Sequence, residues 1–210
     1  MSEPASHERL NAIVLASASP RRAALLESLG LKVRVVPSRY PEPPLGLAPV
    51  EAARVHAREK LRDVALRLPD AVVLAADTVV DVDGVALGKP RDELQAAAML
   101  RCLAGREHLV HTAVAIHVPA RPGADEFARS TRVRFYPLDE AAIAEYLAAG
   151  QSLDKAGAYG IQGRAAALVE GIVGDFYTVM GLPLGGVIRA LARLGFSLPE
   201  PNPNHLSPHR

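Results

Sequence analysis

The chain of 210 residues has no tryptophan, one cysteine and only nine Phe and Tyr residues. A single thiol, Cys102, can form neither an intrachain disulfide nor a cysteine-rich zinc site, which suits a reducing cytoplasm. Charge of one sign is also missing: 24 basic residues face 23 acidic ones, for a net charge of +1. Nucleic-acid coats and membrane-surface binders carry a large basic excess, and single-strand binders need aromatic platforms, so both classes are disfavoured. No apolar run approaches the roughly 20 residues of a membrane span. The longest, residues 71–82, is interrupted by Asp77 and Thr78. Residues 1–9 lack the basic-then-apolar pattern of a secretory leader, so a cytoplasmic protein is expected. Lysine is scarce beside arginine, 4 against 20, and three of the four lysines (Lys60, Lys89 and Lys155) fall in the segments discussed below. A compact ammonium is not interchangeable with a guanidinium, which gives those positions some weight.

What is present reads as an α/β protein. Hydrophobic residues make up 49% and charged residues 22%, enough for a packed core without staples. Short strands are expected at 12–16 and 33–36, with a helix at 20–29 between them, Ser19 at its N-cap, Pro20 opening it and Gly30 closing it. Four prolines make 38–49 an irregular loop. A charged helix is expected at 50–66 and a β-rich run at 71–82. Asp83-Gly84 signals a hairpin into 85–87. Asp92 and Asp139 read as caps of helices ending near 103 and 149, with strands at 108–118 and 126–136 between them. A strand at 165–173 and a closing helix at 182–194 complete a mixed sheet with flanking helices. The expected organisation is an N-terminal extension over 1–9, one domain over 10–198, and a proline-rich flexible tail over 199–210.

Four segments carry chemistry. Ser17-Ala18-Ser19-Pro20-Arg21-Arg22 joins a strand to a helix N-terminus, where free N–H groups, the helix dipole, two hydroxyls and two guanidiniums favour a phosphate. The competing reading leaves Ser19 as a mere cap and both arginines in solvent. In Ala76-Asp77-Thr78-Val79-Val80 a carboxylate interrupts an apolar strand, at a cost of several kcal/mol, roughly, unless it is paired or bound to metal. Asp77 therefore either faces a cleft at a strand end or pairs with a buried base; both make it a candidate general base or metal ligand. Gly88-Lys89-Pro90 holds an ammonium on a short tether. The stretch 154–163, Asp-Lys-Ala-Gly-Ala-Tyr-Gly-Ile-Gln-Gly, allows close backbone approach, and Gln162 offers the donor and acceptor that pair with a uracil or thymine edge. His108, His111 and His117 lie at spacings of three and six, on mixed strand faces, which favours separate core or surface roles over a metal site.

Taken in order, these segments resemble the Maf family of nucleotide pyrophosphatases over residues 13–194. Ala57-Arg58-Glu59-Lys60, Leu103-Ala104-Gly105-Arg106 with Thr112, and Gly181-Leu182-Pro183-Leu184 add to the match. The resemblance implies an elongated, two-lobed α/β fold related to inosine-triphosphate pyrophosphatases, with a central cleft. It implies hydrolysis of a nucleoside triphosphate to the monophosphate and pyrophosphate with a divalent cation, Mg²⁺, Mn²⁺ or Co²⁺, and a homodimer. It matches Asp77 to the proton acceptor, and Arg21, Thr78 and Gln162 to the specificity set of the subgroup acting on dTTP and UTP. Ser17, Ser19, Arg21, Arg22, Lys60 and Lys89 would bind the phosphates, and Glu42 with Asp77 would hold the metal. One departure stands out: Pro41 replaces the first residue of the family's usual Asp-Glu pair, leaving Glu42 alone. Alternatives are the same chemistry on 7-methyl-GTP or another non-standard nucleotide, and a nucleotide-binding regulator of cell division.

Overall fold

The structure, a computed structural model, describes residues 7–150 and 152–200. The first six residues of the expected N-terminal extension, Gln151, and the tail beyond residue 200 lie outside the described residues.

The chain begins with β1 (Glu8–Arg9) and β2 (Ala12–Leu15), then α1 (Pro20–Glu27) and β3 (Lys32–Val35). Pro20 at the first helical position loses nothing, because its missing N–H would have had no partner there. Ser19 occupies the N-cap but its side chain makes no capping bond, contrary to expectation. Instead Ser17 Oγ accepts the Ser19 N–H at 3.2 Å. After the proline-rich loop come α2 (Pro49–Arg67), β4 (Val73–Val82) and the hairpin strand β5 (Val85–Leu87). Then follow α3 (Glu93–Leu103), β6 (Glu107–His117), β7 (Asp125–Phe135) and α4 (Glu140–Ala148). Asp92 and Asp139 cap α3 and α4, accepting from Gln95 N and Ala142 N at 2.8 Å each.

Two expectations change in the last third. The strand expected from 165 is only β8 (Val169–Val173), because Gly163–Ala167 coils into a 3₁₀ helix with three alanines and no β-branched residue. The expected closing helix is preceded by a separate short helix, α5 (Phe176–Met180), capped by Asp175, whose carboxylate accepts from Thr178 N at 2.9 Å. Gly181 at φ 102° turns the chain out of α5, and Pro183 precedes α6 (Leu184–Arg193). The last strand among the described residues is β9 (Phe196–Ser197), which pairs in parallel with β1.

The main sheet runs β3-β2-β4-β6-β7-β8, with β5 also on β4. Along one edge β4 changes partner. Its start, Val73 and Leu74, pairs with β2, and its end, Val80–Val82, pairs with β5. Residues 75–79 have no strand on that side among the described residues, while β6 covers their other side without a break.

Period-2 alternation along β4 and β6 sorts the core. Val73, Ala75 and Val79, with Ala113 and Ala115, face α2. On the opposite face, Leu74 and Ala76 with Val114 and Ile116 join a cluster built from α1, α6 and both chain ends. Val80, Val82 and Val110 join another, under α3 and α4. Between these two clusters lie Thr78 and its cross-strand partner Thr112. Two lobes therefore share one sheet, with a polar seam between their cores. Among the described residues no helix is long and apolar enough to cross a membrane.

The segment 154–163 docks on the second lobe through Gly157, whose N–H bonds Gly88 O at 3.0 Å. Gly157 has φ 66°, and a Cβ there would sit 2.9 Å from Val80 Cγ2. Gly157→Ala should therefore destabilise the protein by about 2 kcal/mol, read as a lowered urea midpoint with an unchanged slope.

Candidate active site

The open stretch of β4 is the floor of a cleft of about 1140 Å³ between the lobes. Each residue assigned to the site from the sequence lines it: Ser17, Ser19, Arg21, Arg22, Glu42, Lys60, Asp77, Thr78, Lys89 and Gln162. Five separate chain segments and α2 contribute.

Asp77 does not lie at a strand end, as the first reading of the sequence expects, but in the middle of β4; it still lines the cleft, because the strand's edge is open there, and it also pairs with a buried base. Its side chain points to the α2 face, where Lys60 Nζ donates to Oδ1 at 2.7 Å. Both residues are 8% exposed. The same ammonium lies 2.9 Å from Glu42 Oε1. Lys60 thus holds two carboxylates from different segments against one point. Glu42 has φ 52°, in the left-handed region where a side chain is strained. It precedes Pro43, which disfavours the right-handed helical conformation. Backbone strain held on a cleft-lining carboxylate is the kind of feature that collects at functional sites.

Arg22 fills the gap left by the missing strand. Its guanidinium donates to Ala76 O (2.8 Å), Gly181 O (2.8 Å), Ser17 Oγ (3.1 Å) and Thr78 Oγ1 (3.0 Å). Four of its roughly five N–H groups are thereby used by the protein. Burial lowers its pKa from the ordinary arginine value, against the opposing pull of the Asp77 carboxylate. Arg22 is therefore a structural tie between the strand–helix loop, β4 and the end of α5, with little donor capacity left for a ligand. Gly181 suits this corner through its φ of 102°, a conformation that a residue with a side chain adopts only under strain.

Across the cleft mouth, Arg21 Nη1 donates to Asp154 Oδ2 at 3.0 Å. Lys155 Nζ meets the other oxygen of that carboxylate at 2.5 Å. Burial pushes the Asp154 carboxyl upward, but the hydrogen bonds from Lys155 and Arg21 prevail and hold it below its ordinary range. The sequence assigns Asp154 no role, because its pairing with Arg21 across 133 residues leaves no local signal. Lys89 and Gln162 are exposed on the cleft wall.

The second lobe holds the 154–163 segment from below. Tyr146 Oη accepts the Gly160 N–H at 3.3 Å. Tyr159, which lines the cleft, lies with its hydroxyl 2.6 Å from His108 Nε2. Tyr159, His108 and Phe135 stack edge to face in pairs 4.7–5.4 Å apart. His111 instead meets Ser130 and Asp81, and His117 the carbonyl of Pro69. The three histidines thus have separate partners, in keeping with their spacing.

A divalent cation fits the donor set. Glu42 and Asp77 are hard oxygen ligands brought to one point, and Mg²⁺ is commonly held by one or two carboxylates with the rest supplied by phosphate oxygens and water. No three His, Cys, Asp or Glu side chains cluster as a metal cage among the described residues, so a cation here would rely on such outside ligands.

With this geometry in place, comparison with known proteins is decisive for class. The chain belongs to the Maf family: the model for "Maf-like protein" matches residues 12–194. A protein named dTTP/UTP pyrophosphatase from Pelotomaculum thermopropionicum is 46% identical over 187 residues, covering 89% of this chain and 98% of that protein. Another of that name, from Moorella thermoacetica, is 50% identical over 189 residues, covering 89% and 96%. Among solved structures, a dITP/XTP pyrophosphatase from Mycobacterium abscessus overlaps 60% of this chain and 75% of its own at TM-score 0.40 and 19% identity.

Two predictions follow from the packing. Burial lowers His108 from 6.5 to about 4. Between those values the unfolded chain binds a proton that the native state refuses, so stability falls as pH drops from 6.5 to 4, by about 3 kcal/mol in full. His108→Gln should flatten that part of the stability–pH curve in denaturant titrations. Arg22→Lys should lower stability by about 3 kcal/mol in the same assay, because one ammonium cannot meet four acceptors arranged around a planar fork.

Proposed function

We propose that this protein hydrolyses dTTP and UTP to the monophosphate and pyrophosphate. One observation supports the reading above the others: the Asp77 carboxylate opens onto the same cleft as Arg21, Lys60, Lys89 and Lys155. A triphosphate brings about four negative charges, and a cleft that collects cationic side chains from separate segments suits that ligand. The names of the relatives point to the same substrates.

In this reading Lys89, Arg21 and the N-terminus of α1 bind the phosphate chain. Arg21 exchanges the Asp154 carboxylate for a phosphate oxygen. Asp77 holds a water and takes its proton as the oxygen attacks the α-phosphorus. The bond from that phosphorus to the bridging oxygen breaks, and pyrophosphate leaves among the cationic groups. Lys60 holds the Asp77 and Glu42 carboxylates side by side at the reacting centre. A divalent cation on Glu42 and Asp77, when bound, would neutralise phosphate charge and polarise the phosphoryl group. Gln162 reads the base: its amide carries a donor and an acceptor, as a uracil or thymine edge requires, whereas guanine's adjacent N–H donors suit a carboxylate.

Asp77→Asn keeps the side-chain shape and an acceptor for Lys60. It should leave melting behaviour near that of the parent while lowering turnover on the order of 10²-fold or more. Pyrophosphate release measured from dTTP, UTP, CTP and 7-methyl-GTP, each with Mg²⁺, Mn²⁺ and Co²⁺, checks the assignment. Turnover confined to 7-methyl-GTP, or undiminished in Asp77→Asn, would overturn it.

A further inference from the structure

We infer that Thr112, buried beneath the cleft, is a positioning residue that makes the Thr78 hydroxyl an obligate hydrogen-bond acceptor toward the cleft and so favours pyrimidines whose ring N3 carries a hydrogen. The inference rests on the pyrimidine reading above and deepens it.

The hydrogens available fix the direction of each bond. Thr78 Oγ1 lies 3.0 Å from Arg22 Nη2 and 2.9 Å from Thr112 Oγ1. Thr112 Oγ1 lies in turn 2.8 Å from the carbonyl oxygen of Thr178. The two ends of this chain have fixed polarity, since a guanidinium only donates and a carbonyl only accepts. A threonine hydroxyl has one hydrogen. Thr112 must give its hydrogen to Thr178 O, so from Thr78 it can only accept. Thr78 must then give its own hydrogen to Thr112 while accepting from Arg22. What remains on Thr78, which lines the cleft, is a single lone pair.

The surroundings keep the relay from reversing. Thr112 and Thr178 are 0% exposed, so water cannot substitute for either partner. Thr78 and Thr112 are directly opposed across β4 and β6, and the two apolar clusters close on either side of them. The carbonyl of Thr178 is fixed because Asp175 caps the helix it belongs to.

An acceptor in the cleft distinguishes bases in a way that Gln162 alone does not, because an amide can turn over and present either end. Uracil and thymine carry N3–H and satisfy a lone pair. Cytosine has an unprotonated N3, which meets that lone pair without a hydrogen between them. Thr112 itself touches no substrate; it acts by deciding where the Thr78 hydrogen points.

Thr112→Val is close in shape and removes the acceptor. The Thr78 hydrogen is then free to turn toward the cleft, and discrimination should relax. The expected result is a fall of about tenfold in the kcat/KM ratio of UTP over CTP, the scale of one net hydrogen bond, carried mainly by a lower KM for CTP. Thr112→Ser retains the hydroxyl and should restore the parent ratio. A merely structural role would depress both substrates alike and leave the ratio in place. If Thr112→Val fails to fold, Thr112→Cys, with a weak thiol partner, replaces it with the same expected direction. An unchanged ratio in a folded variant overturns the relay while leaving the pyrimidine reading intact. Absence of UTP turnover in the parent protein overturns both.

Discussion

Strand β4 has to serve two partners along one edge, and they do not meet. Between Leu74, the last residue matched to β2, and Val80, the first matched to β5, the edge is open. Unpaired backbone groups in such a gap need partners or water. Arg22 supplies one by donating to Ala76 O, and the remaining space becomes the cleft. The site is thus a consequence of strand pairing. It also explains how Asp77 can be central in a strand and still reach a ligand: the gap gives its carboxylate an exit that a fully paired strand would deny.

The same gap sets the division of labour among charged groups. Arg22 is tied by four hydrogen bonds and supports the floor, while Arg21, one residue earlier, is tied to a carboxylate that a phosphate could replace. Lys60 is held between Asp77 and Glu42, so its first effect is on those two carboxylates. A buried ion pair of this kind adds little net stability, since desolvation offsets most of the attraction. Its retention is better understood as a means of keeping two negative groups close together in one place.

Much of this was legible in the sequence, for definite reasons. An acidic residue inside an apolar run cannot be silent, and that marked Asp77. Asp92 and Asp139 announced their helices through side chains that accept from the third residue on. Segments whose roles depend on distant partners were harder. Ser19 reads as a cap, but its side chain makes no capping bond, and Ser17 accepts the N–H of Ser19 itself while also accepting from Arg22. The short helix at 176–180 carries its own Asp175 cap signal, but at five residues it is too short for a helical period to show, and the sequence reading assigns no element between 173 and 182. Residues 165–168 are apolar enough for a strand, but three consecutive alanines have no β preference, and Leu168 is drawn into the second-lobe core. The seam of Thr78 and Thr112 emerges only once the register of β4 and β6 is known.

The core of the first lobe is assembled from opposite ends of the polypeptide: Leu10 to Leu31 pack with Leu182 to Phe196, and the opening strand pairs with the closing one. On the ribosome, Arg22 is made 159 residues before Gly181, whose carbonyl it binds, so its segment must wait for that support. The middle of the protein can collapse around α3 and α4 in the meantime. Vectorial synthesis therefore completes the cleft last, and a truncated nascent product carries the cationic loop without the scaffold that would make it a site.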